Sequence, residues 1–368
     1  MLETMGSVFS AIILLGVLIL VHEFGHFAVA RLCGVRVEKF SIGFGPEIWG
    51  GIRGDTRYVV SWIPLGGFVK LAGESQEGLE GREPRVDDYI SKNVWQRISI
   101  VVAGPFMNIF TALIALTVVF SVGRLVPKSI IGEFVEGYPA IHSGLQVGDT
   151  ITSINSQSIA HWGDLLRVMF ENEKSTVDVE VQREGEVLTY NVSTNVDQLD
   201  QSVQGKTSIR RLGIKPDMKN TIKLSYPVSE AFVESVKTLG DWTVQISSTL
   251  WQLVSFQSSV KELRGPVYVF SESGKVAKQG LSAILDWAAI ISFSLGFFNI
   301  LPIPALDGGH LIFLLMEVVR GRPMPPIFQE RATFFGIVCL LLLMGVVTVN
   351  DIMHLDLVSK LSSLFGGG

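Results

Sequence analysis

The sequence predicts a membrane α-helical protein. It has four transmembrane helices, a membrane-associated β-hairpin or small sheet after the first helix, and an inserted β-rich module. Three observations predict it. Four apolar runs each approach the roughly 20 residues needed to cross a bilayer. Hydrophobic residues make up 48% of the chain and charged residues only 18%, with a mean hydropathy of +0.40. That is too apolar for an ordinary soluble domain. Between the second and third runs, the composition turns soluble and alternates with the period of strands. The chain divides into a first membrane part (1–126), the module (127–220), an amphipathic helical connector at the membrane surface (221–280) and a second membrane part (281–368).

The first span runs from about Val8 to Leu32 and carries Val21-His22-Glu23-Phe24-Gly25-His26, an H-E-x-x-H motif. On a helix, positions i and i+4 share a face, so His22 and His26 point the same way, as two ligands of one metal ion must. Glu23 is not needed as a ligand and can take a proton from an attacking water. Ionisable groups within an apolar span cost a few kcal/mol, which makes this cluster a functional hypothesis by default. The run is not a cleavable leader: residues 1–7 hold no Lys or Arg, and cleavage would remove the motif.

The segment after it reads as a small sheet rather than a loop. Val37 to Ile42 alternates loosely, Tyr58 to Ile63 is rich in strand formers, and Phe68-Val69-Lys70-Leu71 resumes a strand after the turn Pro64-Leu65-Gly66-Gly67. Gly43-Phe44-Gly45-Pro46 is too apolar for a solvated linker. Such a sheet can dip into the membrane if its backbone is paired or faces water, and an open edge could hold an extended substrate by strand addition. Glu74 to Asp88 reads as a solvated loop. The second span, about Ile98 to Val122, contains Gly104-Pro105-Phe106-Met107-Asn108. Its small residues allow close helix approach, and Asn108 is a polar group in hydrocarbon bonded to a neighbouring helix or serving the site.

In the module, Gly144-Leu145-Gln146-Val147-Gly148-Asp149-Thr150-Ile151 places a tight turn before a strand. His161 to Phe170 reads as a helix, and Val177 to Arg183 and Val187 to Val192 form a hairpin. His142 and His161 are surface groups by this reading. The connector repeats Phe232, Val236, Leu239, Ile246, Leu250 and Leu253 at helical spacing, with polar residues between, as a surface-lying amphipathic helix would.

The third span, about Ile284 to Val319, is broken by Pro302 and Pro304. After the break come Asp307 and His310, and before it Asn299, which could donate to a developing oxyanion. A catalytic zinc takes three protein ligands and leaves a position open. His22 and His26 supply two, and Asp307 or His310 could supply the third. The fourth span is about Ala332 to Val349. Arg320, Arg322 and Arg331 in the last connection, with a tail free of basic residues, put both termini outside and the motif near the cytoplasmic side. The net charge of −5 argues against a nucleic-acid partner. Cys33 and Cys339 suggest neither a disulfide framework nor a cysteine metal site, and the closing triple glycine is set aside.

Three motifs in order, H-E-F-G-H, G-P-x-x-N and N-x-x-P-x-P-x-L-D-G-G, together with G-F-G-P and P-L-G-G-F-V-K, resemble the site-2 protease family of intramembrane zinc metalloproteases, nearest the bacterial sigma-E regulator branch. The module resembles a bacterial PDZ domain, which binds extended peptide ends by β-augmentation. The resemblance implies His22, His26 and Asp307 as zinc ligands, Glu23 as catalytic base and His310 outside the ligand set. It implies Asn299, Asn108, Gly43, Phe44, Gly45, Pro64, Gly66, Gly67, Phe68, Val69 and Lys70 around the substrate. It further implies a bacterial inner-membrane protein, with the module on the periplasmic side. Its substrates would be single-span membrane proteins, such as an anti-sigma factor already cut once in an envelope stress response, and signal-peptide remnants. Relatives of this branch often carry two PDZ domains, whereas one is readable here. The alternative class is a non-enzymatic metal-binding scaffold or metal transporter, which would not need Glu23.

Overall fold

A computed structural model of the protein describes residues 2–74, 83–203, 206–255 and 265–354. Most of the loop expected after Glu74 and the glycine tail lie outside these residues. The chain forms two compact units, residues 1–117 with 260–368, and residues 118–259.

The first unit holds α1 (Leu2–Leu32), β1 (Val37–Arg53), β2 (Thr56–Leu71), α2 (Val94–Val122, whose last turn belongs to the second unit), α5 (Pro266–Val276), α6 (Leu281–Ile300), α7 (Asp307–Arg320) and α8 (Pro326–His354). Among the described residues, four helical stretches are long and apolar enough to cross a membrane: Phe9–Leu32, Val94–Val122, Leu281–Ile300 and Pro326–Met353. The third expected span is two separate helices. Pro302 and Pro304 have no N–H to offer, so the backbone leaves α6 at Leu301 and restarts at Asp307. Local bonds satisfy the gap: the Ile303 N–H donates to the Leu301 carbonyl at 2.7 Å and the Leu306 N–H to the Ile303 carbonyl at 2.9 Å.

The strands are longer than their sequence signals. β1 and β2 each bend double, and their register gives a four-ribbon sheet in the order 47–53, 56–61, 37–42, 67–71, antiparallel at its two outer pairings and parallel between 56–61 and 37–42. Glycine makes the bends. Gly43 has φ +91° and its Cβ position lies 2.6 Å from the Ile63 carbonyl oxygen. Gly66 has φ +115°, and its Cβ position is filled by the Phe44 ring at 2.2 Å. The segment 67–71 is an edge of this sheet. The sheet packs on α1 through an aromatic cluster of Phe27, Phe40 and Tyr58.

The second unit contains β3 (Arg124–Pro127), β4 (Ile131–Phe134), β5 (Thr150–Ile154), β6 (Gln157–Ser158), α3 (Trp162–Glu171), β7 (Thr176–Arg183), β8 (Glu186–Ser193), β9 (Asn195–Val203), β10 (Lys206–Arg211), β11 (Ile214–Pro216), β12 (Thr221–Leu224) and α4 (Val228–Val254). A sheet in the order β6-β5-β7-β8 packs its alternate residues Ile151, Val177, Val179, Val181 and Val192 against Trp162, Leu165 and Val168 of α3. Asp149, at the end of the Gly144–Asp149 turn, accepts the Gln146 N–H and receives the forked Arg183 guanidinium at 2.7 Å. Burial alone would raise the Asp149 pKa. The Arg183 fork and the Gln146 N–H outweigh it and hold the carboxyl below its usual range.

Two expectations about the connector change. Among the described residues it holds the strand β12 and two helices, α4 and α5, rather than one helix. On α4 the buried positions are Ala231, Ser235, Leu239 and Gln252, whereas Phe232 and Val236 of the expected apolar stripe stay about half exposed. On α5, the N-terminus is capped from α8: Asp351, fully buried, accepts the Gly265 and Tyr268 N–H groups at 3.0 Å each.

Candidate active site

The H-E-x-x-H turn lies where α1 meets α2 at backbone distance. Each helix places a glycine at the crossing: the Cβ position of Gly25 is 2.4 Å from the Ala103 carbonyl oxygen, and that of Gly104 is 2.2 Å from His26 Nε2. The two imidazoles therefore rest on the bare backbone of α2. His26 Nδ1 lies 2.8 Å from the Ile100 carbonyl oxygen. A carbonyl can only accept, so the proton is on Nδ1 and the Nε2 lone pair is free.

Asp307 arrives from the first turn of α7. The positive end of that helix favours a carboxylate there. Gly308 and Gly309 let the Pro-rich turn fold back over that first turn, with Cβ positions 2.0 Å from the Leu301 oxygen and 2.4 Å from Pro304 Cα. The Asp307 carboxylate then lies 3.0 Å from His22 Nε2 and 3.6 Å from His26 Nε2, and the two Nε2 atoms are 3.2 Å apart. Ligand atoms held at about 2.0–2.1 Å around a tetrahedral zinc sit about 3.3 Å from one another. Two nitrogens and one oxygen at these separations fit that ion. Among the described residues, His22, His26 and Asp307 form a group with ligand atoms all within 4.8 Å of one another. His310 is not in it. It is exposed, one turn further along α7, edge-on to Phe313.

Glu23 sits between the His22, His26 and Asp307 group and the sheet. The Val69 N–H donates to its carboxylate, and the Cβ position of Gly67 is 3.5 Å from its Cγ. The structure therefore brings Gly67 and Val69 to Glu23. Phe44 and Phe68 stack on each other at 6.3 Å further along the sheet, while Pro64 and Lys70 are exposed. Asn299 is half-buried in the last turn of α6. Asn108 is not placed as a substrate contact. It is fully buried on α2, its amide 3.3 Å from His22 Nδ1. Sequence reasoning did not single out Gly104 as a site residue or Arg97 at all. Arg97 pairs in a fork with Glu317, joining α2 to α7.

A model of peptidase family M50 matches residues 10–343. The chain belongs to peptidase family M50. The site-2 protease resemblance is thereby confirmed, and this M50 member is a zinc metalloprotease, which sets aside the scaffold or transporter alternative. Its curated relatives are similar along nearly their whole length. One named a zinc metalloprotease in Agrobacterium fabrum is 35% identical, covering 95% of this chain and 96% of the relative. The regulator of sigma-W protease RasP of Bacillus subtilis is 30% identical over 96% and 99%. The zinc metalloprotease RasP of Geobacillus kaustophilus is 29% identical over 96% and 99%. Among solved structures, the PDZ domain of an SdrC-like protein of Listeria monocytogenes covers 26% of this chain and 95% of that domain at 14% identity. Its TM-score of 0.20 is too low to support an argument.

Proposed function

We propose that this M50 protease hydrolyses a peptide bond within the membrane-spanning segment of single-span membrane proteins, with His22, His26 and Asp307 as zinc ligands and Glu23 as general base. The observation that carries the reading is the convergence of the three ligand atoms beside a carboxylate that is itself held by an edge strand. Zinc, when bound, acts as a Lewis acid, bringing the pKa of water toward about 7 and polarising a carbonyl. Glu23 takes the proton of the attacking water and returns it to the leaving amine. The Val69 N–H keeps the carboxylate turned toward the ligands.

A helical substrate segment shields its own amides and must unwind first. In the edge segment 67–71, backbone groups of alternate residues face outward. Gly67, Val69 and Leu71 take that side, as the Val69 bond to Glu23 and the Leu71 N–H on Glu74 indicate. A substrate strand added along this edge would pass beside Glu23. Phe44 and Phe68 would flank it, and Asn299 would contact the bound peptide.

The resemblance points to sigma-E and the Bacillus relative's name to sigma-W. Both concern control of a sigma factor, so the substrate class proposed is the single-span anti-sigma factor in an envelope stress response. The β5–β8 module with α3 would act as a PDZ domain outside the membrane, receiving peptide ends or outer domains. The termini would lie on the same side, and the exposed apolar residues of α4 would rest on the lipid surface. The test is Glu23→Gln in the purified full chain. Zinc stays at one per chain, and cleavage of a single-span reporter falls by about 10²–10⁴-fold. Turnover at the wild-type rate would refute the mechanism.

A further inference from the structure

His22 can ligate through Nε2 only if its ring proton is on Nδ1, and an N–H buried in an apolar helix bundle needs an acceptor. For His26 that acceptor is the Ile100 carbonyl. For His22 the neighbour is the Asn108 amide, at 3.3 Å. Its nitrogen faces the ring, and its Oδ1, fully buried, has no hydrogen-bond partner. Two donors cannot satisfy each other. A half-turn of the amide about its terminal torsion exchanges nitrogen and oxygen in the same space. It puts Oδ1 on the His22 Nδ1–H and gives the orphaned acceptor its donor.

The packing around Asn108 admits that exchange and little else. Ser292 on α6 donates to the Asn108 backbone carbonyl at 2.8 Å. Gly296, one turn further, brings α6 so close that its Cβ position is 2.8 Å from the Pro105 oxygen and 3.3 Å from Asn108 Cβ. The side chain is therefore caged between α1 and α6, aimed at His22.

We infer that Asn108 is a positioning residue for the zinc site: its side-chain oxygen accepts the His22 Nδ1–H, fixing the tautomer and ring orientation that expose the Nε2 lone pair. This rests on the ligand assignment proposed above. Partners of this kind behind a ligating His change metal affinity by about 10- to 100-fold when removed.

The experiment measures zinc affinity by chelator competition on the full chain in detergent, with the visible spectrum of the Co²⁺-substituted protein as a second readout. Asn108→Leu keeps the volume and removes the acceptor. It weakens zinc binding by about 10- to 100-fold and perturbs the Co²⁺ bands. Asn108→Asp offers oxygen only, and it keeps zinc affinity within about threefold of wild type, because an ionised carboxylate accepts the same proton. If the amide nitrogen were the group His22 needs, Asp would fail as badly as Leu, and that result overturns the inference. Wild-type zinc affinity in Asn108→Leu overturns it equally. Asn108→Ala gives the same reading should Leu not fold. His22→Ala and Asp307→Ala separate the two levels. If they lose zinc while Asn108→Leu does not, only this inference fails. If they keep one zinc per chain, the ligand assignment fails and takes the inference with it.

Discussion

Replacing Gly104 with alanine is the smallest change that should empty the site without touching a ligand. The new methyl would stand 2.2 Å from His26 Nε2, 2.6 Å from His26 Cε1 and 2.8 Å from His22 Nε2. Ordinary contact begins at 3.4 Å, so the nearest ring must retreat by roughly 1.2 Å. What retreats are imidazole tips, not backbone. The fold therefore loses little, at the low end of the about 1–3 kcal/mol typical of overpacking. Helix propensity returns up to about 1 kcal/mol of that. Zinc affinity loses much more, because the Nε2 atoms leave the positions that put them 3.0 and 3.6 Å from the Asp307 oxygens. A displacement near 1 Å at reacting groups costs on the order of 100-fold.

The assay is zinc content after dialysis against a graded chelator, alongside the melting temperature in excess chelator. Gly104→Ala should melt close to wild type without metal, bind zinc on the order of 100-fold more weakly, and cleave a single-span reporter poorly at limiting zinc. Gly240→Ala on α4, where a methyl meets nothing within 4 Å, is the control and should change neither zinc nor cleavage. Wild-type zinc affinity in Gly104→Ala would refute the claim that the rings rest on the α2 backbone.

Gly25→Ala meets the Ala103 carbonyl oxygen at 2.4 Å, which is backbone. It should lower stability by about 1–3 kcal/mol even in chelator, measured as a fall in melting temperature. Gly66→Ala combines φ +115° with a Phe44 ring 2.2 Å away. It should displace the 67–71 edge and reduce cleavage at least tenfold with zinc retained. Zinc loss would mean that the sheet supports the ligands rather than the substrate. In the second unit, Asp149 has a folded pKa below its unfolded value near about 3.9. The stability it adds is therefore full above that value and is lost as pH falls through the folded pKa. Arg183→Leu should lower the melting temperature at pH 7 and flatten the decline between about pH 5 and 2, and parallel melting curves for the two proteins would contradict this.

The apolar runs, the i to i+4 pair and the proline break were legible because each depends on a few neighbouring residues. The choice between Asp307 and His310 was not, since both follow the same break. It depends on how the Pro-rich turn folds back over Gly308 and Gly309, which leaves Asp307 facing the imidazoles and His310 exposed. The sheet was half legible. Short strand signals were visible around Val37 and Phe68, but left-handed backbone at Gly43 and Gly66 turns them into two long strands bent double. The cap on α5 had no local signal. Its carboxylate, Asp351, comes from 86 residues further along the chain.

The spacing of H-E-x-x-H fixes which face of α1 the imidazoles share, but not how the rings are turned about their own bonds. That second requirement falls on α2, which contributes no ligand and no base. Its Ile100 carbonyl turns His26, its Asn108 amide meets His22, its Gly104 leaves room for both rings, and its Arg97 ties it to the helix that carries Asp307. Glu23 is held from a different direction, by the Val69 N–H of the sheet. On the ligand and base assignment proposed above, metal affinity and proton transfer rest on separate scaffolds that meet at one turn of α1. Damage to α2 at Gly104 or Asn108 should weaken zinc first and cleavage only as a consequence. Damage to the 67–71 edge should weaken cleavage with zinc in place. If changes at both elements move zinc and cleavage together, the site is one cooperative unit, and this division of labour is wrong.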